Sequence, residues 1–381
     1  MRLSTVAAGL ILLFVPTSAF PCSGIYAFAK GLALAGNNED FWNPNTKMWF
    51  VPEEGERHGR VYFGFGNMFP QGGMNTAGLF FDGFATRRLP VTKSIGRERF
   101  QGNLIDEAMA TCGSVDEVKA LFERHDVAFL ETAMLMFGDK HGGSIIVEGD
   151  EILVKEGRDQ VCTNFYQSQS DPSDYSCPRY ATGRRMLGKS KKISVDLFRR
   201  ILDAMHVEGR SKTLYSNVYD LTNGVVHLYH FHDFDEVVTL NLEEELAKGA
   251  RVVDLPSLFP ENEAFTRFTN EQQEGLEKKA RSRLAKDIDR SCFGEYVGDY
   301  EVSFNATKMS FTVSLEGEQL RLASDRSEET VELLPEGEDR FFYIDFDGAT
   351  AFRFTRGDGG PIAGLVVTSF LGHEYAGLKL P

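Results

Sequence analysis

The stretch PTSAFPCSGIYAFAKGLALAGNNEDF, residues 16–41, decides how the rest of the chain is read. It runs from the end of an apolar leader into Cys22. A thiol at a freshly exposed N-terminus carries its own base, because an α-amino group titrates near ~7.7–8.0 and can take the thiol proton. Small and apolar residues follow Cys22 as far as Ala35, then Gly36-Asn37-Asn38-Glu39-Asp40. This pattern predicts two short strands joined at Lys30-Gly31. In such a hairpin the end of the second strand lies beside the start of the first, so Asp40 is expected next to Cys22, holding its amine or thiol. Half of a disulfide and a lipid-modified residue are the other uses of a cysteine at this place. Pro21 fits poorly with lipid modification, which wants a small residue there.

Two later segments bear on the choice, Gly73-Met74-Asn75-Thr76-Ala77-Gly78-Leu79 and Val161-Cys162-Thr163-Asn164. Together with the cysteine opening a hairpin that ends in G-x-N-x-D, they resemble the N-terminal-nucleophile hydrolases of the choloylglycine hydrolase, penicillin V acylase and isopenicillin-N acyltransferase group. The resemblance spans residues 22–250. It implies an α+β fold, a four-layer αββα sandwich, and cleavage of linear amide bonds by Cys22. It also implies an oxyanion role for Asn164 and a functional role for Arg179, which resembles an arginine after the T-N segment of acyltransferase-like members. Bile-salt and penicillin V members carry arginine after the glycine of G-R-N-x-D. Here that position is Asn37, so a substrate without a carboxylate at that spot is expected. Asn37, Asn75, Phe65 and Asp82 are the expected substrate-binding residues.

Residues 1–21 hold one early arginine, Arg2, an apolar run from Val6 to Val15, and Thr17-Ser18-Ala19 as a small-residue cleavage site. A signal segment and a secreted or periplasmic protein are expected, with further trimming if Cys22 is to become terminal. The 381 residues suit one large domain plus a small one. A net charge of -15 argues against nucleic acid or an anionic membrane as partner. A small-molecule amide is the expected partner, and the oligomeric state stays open. Five cysteines is an odd count in a secreted chain. Cys22 is the odd thiol in this reading, Cys162 and Cys177 the expected disulfide, and Cys112 and Cys292 buried free thiols.

The remaining pattern divides the chain into 22–255, a helical connector at 256–292, and a β-rich segment at 293–381. Strands are expected at 48–51, 60–65, 78–85, 132–137, 143–148 and 152–154, and helices at 101–125, 180–187 and 194–205. A hairpin is expected at 213–232 about Thr222-Asn223-Gly224. From Glu295 onward short alternating strands resemble the small β-domain appended to secreted serine β-lactamase-like hydrolases.

An amidase acting through a thioester is the leading reading, with no cofactor and no metal. An acyltransferase would share its intermediate. A metal-dependent hydrolase on His227, His230 and His232 is a second enzyme reading, since His230 and His232 would share one strand face. A catalytically inactive binding protein is the reading from another class.

Overall fold

The computed structural model describes residues 22–171, 177–209, 211–285, 288–304, 307–325, 327–344, 350–358, 360–368 and 374–381. The expected leader and cleavage site lie outside them. The fold mixes α and β: two antiparallel sheets with helices against them, followed by a closed barrel of eight strands.

The first sheet has the order β10-β1-β2-β11-β12-β13. Its strands are β1 (Ser23–Ala29), β2 (Leu32–Phe41), β10 (Asp159–Thr163), β11 (Lys212–Asp220), β12 (Val225–His230) and β13 (Asp233–Asn241). Lys30 and Gly31 both take positive φ, 53° and 81°, the pair of values a two-residue hairpin turn demands. That turn sets the register Ser23 to Asn38, Gly24 to Asn37 and Ile25 to Gly36.

The second sheet runs β14-β3-β4-β5-β6-β7-β8-β9. It comprises β3 (Thr46–Val51), β4 (Arg60–Phe65), β5 (Pro70–Asn75), β6 (Leu79–Ala85), β7 (Ala133–Asp139), β8 (Ser144–Glu148), β9 (Glu151–Val154) and β14 (Arg251–Asp254). The edge strand β14 pairs with β3.

Strand alternation sorts the apolar side chains into three layers. Tyr26, Ala35, Phe63, Phe80, Met136 and Tyr215 pack with Cys22 in the core between the sheets. Ile25, Leu34 and Val161, on the opposite face of the first sheet, pack with the apolar sides of α3 (Pro178–Lys189) and α4 (Val195–Met205). Phe81, Phe137 and Ile145 of the second sheet meet α1 (Leu104–Thr111) and α2 (Val115–Arg124). Helix α2 starts at Ser114 with a complete capping box to Glu117, which satisfies two otherwise orphaned N–H groups.

Beyond α5 (Leu242–Leu246), the connector contains α6 (Glu263–Arg283). Phe268 of α6 belongs to the core between the sheets, with Phe265 packed against it. Its far end holds Arg283, which pairs with Glu336 at 2.9 Å and lies over Phe342 at 4.2 Å. The barrel closes in sequence order through β15 (Gly298–Phe304), β16 (Thr307–Glu316), β17 (Gln319–Ser324), β18 (Ser327–Gly337), β19 (Arg340–Phe342), β20 (Ala351–Arg356), β21 (Ile362–Thr368) and β22 (Glu374–Lys379). Its interior is filled by Tyr296, Tyr300, Phe341, Phe352, Phe354 and other apolar side chains.

Candidate active site

The residues on β2 divide by alternation. Asn37, Glu39 and Phe41 face the core between the sheets, whereas Asn38 and Asp40 face the helices. Cys22 stands opposite Glu39, one step beyond the Ser23 to Asn38 pair. Its thiol lies 3.6 Å from Glu39 Oε1 and also meets the backbone N–H of Asp40. The Asp40 carboxylate does not reach the thiol. It takes a hydrogen bond from the Thr213 hydroxyl, and its Oδ2 lies 3.9 Å from the Arg179 guanidinium. By register it sits beside the N-terminal side of Cys22, where an amine would be.

Arg179 ties this corner together from the first turn of α3. Its guanidinium donates to the Cys22 carbonyl, to Ser23 Oγ at 2.8 Å and to Asn164 Oδ1 at 3.2 Å. Asn164 follows β10, whose Thr163 pairs with Ser23, so it stands alongside Cys22. One of its amide N–H bonds goes to the Ala85 carbonyl at 2.9 Å. Cys22, Asp40, Asn164 and Arg179, separated by up to 157 positions, thus meet at one end of β1.

On the other side of Cys22 lies a polar patch buried between the sheets. Asn37 donates to Asp82 Oδ1 at 2.9 Å and accepts from Asn217 at 3.2 Å. Glu39 Oε2, Asp82 Oδ2, Asn217 Oδ1 and the Tyr215 hydroxyl are all buried without a partner among the described residues. Asp82 fits because Gly72 opposite has no side chain: a Cβ there would stand 2.8 Å from Asp82 Oδ1.

Burial controls the electrostatics. Glu39 is 3% exposed, and burial pushes its carboxyl up to about 8 against the opposing bond from Cys22. Asp40 is raised by burial, with Thr213 and Arg179 working the other way. Asp82 is raised by burial and then by Glu39 and Asp40, with the Asn37 bond opposing. The Cys22 thiol is raised by burial and then by the same acids. A thiol in this setting stays protonated until a base takes its proton.

The other residues singled out in the sequence have the following surroundings. Asn75 does not approach Cys22: its amide donates to the carbonyls of Met109 and Cys112 at 2.8 Å and accepts from Leu79 N–H. Alternation along β5 sends Met74 to the core between the sheets and Asn75 to the end of α1. Phe65 packs on Phe41, ring centres 4.7 Å apart, within that same core. The five cysteines are free thiols, so the Cys162–Cys177 bridge is absent. Cys162 faces between the sheets, while Cys177 caps α3 on the helix side and takes the Thr163 hydroxyl bond.

The histidine trio also separates. His227 bonds Thr239, His230 is buried against Phe259 and Phe265, and His232 lies in the turn after β12 beside His206. Glu39 is the site residue that the sequence reading missed. It occupies the second free position of G-x-N-x-D, yet a two-residue turn at Lys30-Gly31 makes it the cross-strand partner of Cys22.

No family model matches the chain, and no curated protein matches it. Among solved structures it is similar to a conjugated bile acid hydrolase from Clostridium perfringens, with TM-score 0.50 and 19% identity over 63% of this chain and 97% of that one. A second variant of that enzyme gives 0.48 at 18% identity, over the same 63% and 97%. Penicillin V acylase from Agrobacterium tumefaciens gives 0.43 at 15% identity, over 55% of this chain and 82% of that one. The first of these likenesses shows a shared fold.

Proposed function

We propose that this chain is a secreted or periplasmic amide hydrolase whose nucleophile is Cys22, exposed as the N-terminal residue when residues 1–21 are removed. The two sheets and their helices are then the four-layer αββα sandwich of the N-terminal-nucleophile hydrolases, and residues 293–381 a separate β-domain. The meeting of Cys22, Asp40, Asn164 and Arg179 at one end of β1 carries the proposal.

The chemistry follows from the positions. The freed α-amine, held by Asp40, takes the thiol proton, and sulfur attacks the amide carbonyl carbon. The second N–H of Asn164 and backbone N–H groups stabilise the oxyanion. As the C–N bond breaks, the amine base returns its proton to the leaving nitrogen. Water then attacks the thioester, giving a carboxylic acid and restoring the thiol. Arg179 positions the Cys22 carbonyl, Ser23 and Asn164. Glu39, with a carboxyl near 8, is a second group able to exchange a proton with the thiol near neutral pH.

The buried patch suits a particular substrate. Glu39, Asp82 and Asn217 present acceptor atoms with no partner among the described residues, where the arginine of the resembled members would otherwise stand at position 37. Substrates offering N–H donors there, neutral or cationic, fit better than carboxylates.

Iodoacetamide decides the nucleophile. Loss of amidase activity in step with alkylation of Cys22 is expected, together with complete loss in Cys22→Ala. Turnover that persists after full alkylation of Cys22 would move the chemistry elsewhere.

A further inference from the structure

A second constellation lies on the helix side of the first sheet, apart from the thiol. His206 caps the C-terminus of α4, with its Nδ1 bonded to the Asp203 carbonyl. That leaves Nε2 facing Glu208 Oε1 at 3.0 Å. The ring of His232 stacks on that of His206 with centres 5.3 Å apart and planes 15° from parallel. One ligand atom from each of the three residues lies within 4.8 Å of the other two. A tetrahedral ion with bonds of ~2.0–2.1 Å needs its ligand atoms roughly 3.3 Å apart. A metal-bound imidazole also ordinarily donates its other nitrogen to a carbonyl or carboxylate, as His206 does to Asp203.

The turn that carries His232 supports the same reading. Phe231 and His232 link β12 to β13, with His230 paired to Asp233, and have φ of 47° and 50°. Two-residue turns with positive φ at both positions favour Asn-Gly, because a larger side chain there is strained. Phe231 offsets that strain by burial against Phe265 and Phe268. For His232 the conformation sets the imidazole over His206. An adjoining cleft of about 320 Å³, with Asp203, His232 and Asp233 on its walls, leaves room for an ion to enter and keep a water ligand.

We propose that His206, Glu208 and His232 bind a divalent transition metal of the zinc class. The ion would brace the candidate active site. Val207, between two of the ligands, accepts from Thr213 N–H and donates to Thr213 Oγ1, both at 2.9 Å. The same Thr213 hydroxyl donates to Asp40. Tying His206 and Glu208 to the β12–β13 turn therefore fixes the segment that orients Asp40.

Calorimetric titration of untagged, chelator-stripped full-length protein with zinc chloride alone tests this. A single saturable equivalent is expected, lost in His206→Ala and His232→Ala, unchanged in His227→Ala, and at least about tenfold weaker in Glu208→Gln. The Glu208 side chain is 65% exposed, so Glu208→Gln keeps the test sound if a histidine variant fails to fold. Zinc should raise Tm in the wild type and not in His232→Ala. No saturable binding, or binding that Glu208→Gln leaves untouched, would overturn the site.

Discussion

Glu39 lends itself to a measurement at the scale of one residue. Its carboxyl rises from 4.5 to about 8 on folding, chiefly through burial. Between those values the folded chain holds a proton that the unfolded chain has released, so stability falls as pH rises through that window. Asp82 and Asp40, raised for the same first cause, act with the same sign. Glu39→Gln should therefore flatten the loss of stability between pH 5 and 8, by on the order of a few kcal/mol at the upper end. Urea unfolding at a series of pH values measures it, and an unchanged slope would mean that Glu39 titrates normally. Catalytic substitutions have their own signatures. Cys22→Ser should keep a weaker nucleophile, and Asn164→Ala should lower kcat by roughly 10²-fold, read from steady-state kinetics with folding checked by circular dichroism. Cys22 was singled out in the sequence from its place behind the expected leader. Glu39 was not singled out because motif spacing weighs only the fixed positions, although the turn length already determined its partner.

At the scale of elements, glycines in the second sheet act by what they leave empty. Gly72 is a strand residue of β5 whose missing side chain admits Asp82. Gly72→Ala should displace Asp82, break its bond to Asn37, cost about 1–3 kcal/mol and reduce kcat/KM. A Cβ at Gly188, within α3, would meet nothing within 4 Å. Gly188→Ala should therefore be neutral or stabilising in the same urea experiment. Strand and helix positions were largely readable because β4 and β6 are short apolar runs and the 3.6 period survives in α2 and α4. The fate of single polar residues was less so. Whether Asn75 faces the thiol or the end of α1 depends on which face of β5 is turned inward. The histidine strand misled for a related reason: β12 ends at His230, and the left-handed turn takes His232 out of the alternation.

For the whole molecule, the two-sheet unit and the barrel each own a core, and α6 packs Phe265 and Phe268 into the first while Arg283 reaches the second. A chain ended after residue 285 should keep the cooperative unfolding of the two-sheet unit, since the core between its sheets survives the cut. A transition lost entirely on truncation would show instead that the barrel is needed for folding. The strands of the barrel were legible as short alternating runs from Glu295 onward. Closure by β21 and β22 was not, because it depends on pairing β22 with β15 across most of the barrel's length. The proposed chemistry rests on an amine that exists only once the residues before Cys22 are gone, since an amide nitrogen in its place cannot accept the thiol proton. N-terminal sequencing and intact mass of the active, exported protein should therefore find Cys22 as the first residue. A fully active chain that begins at Phe20 would contradict the N-terminal-nucleophile mechanism.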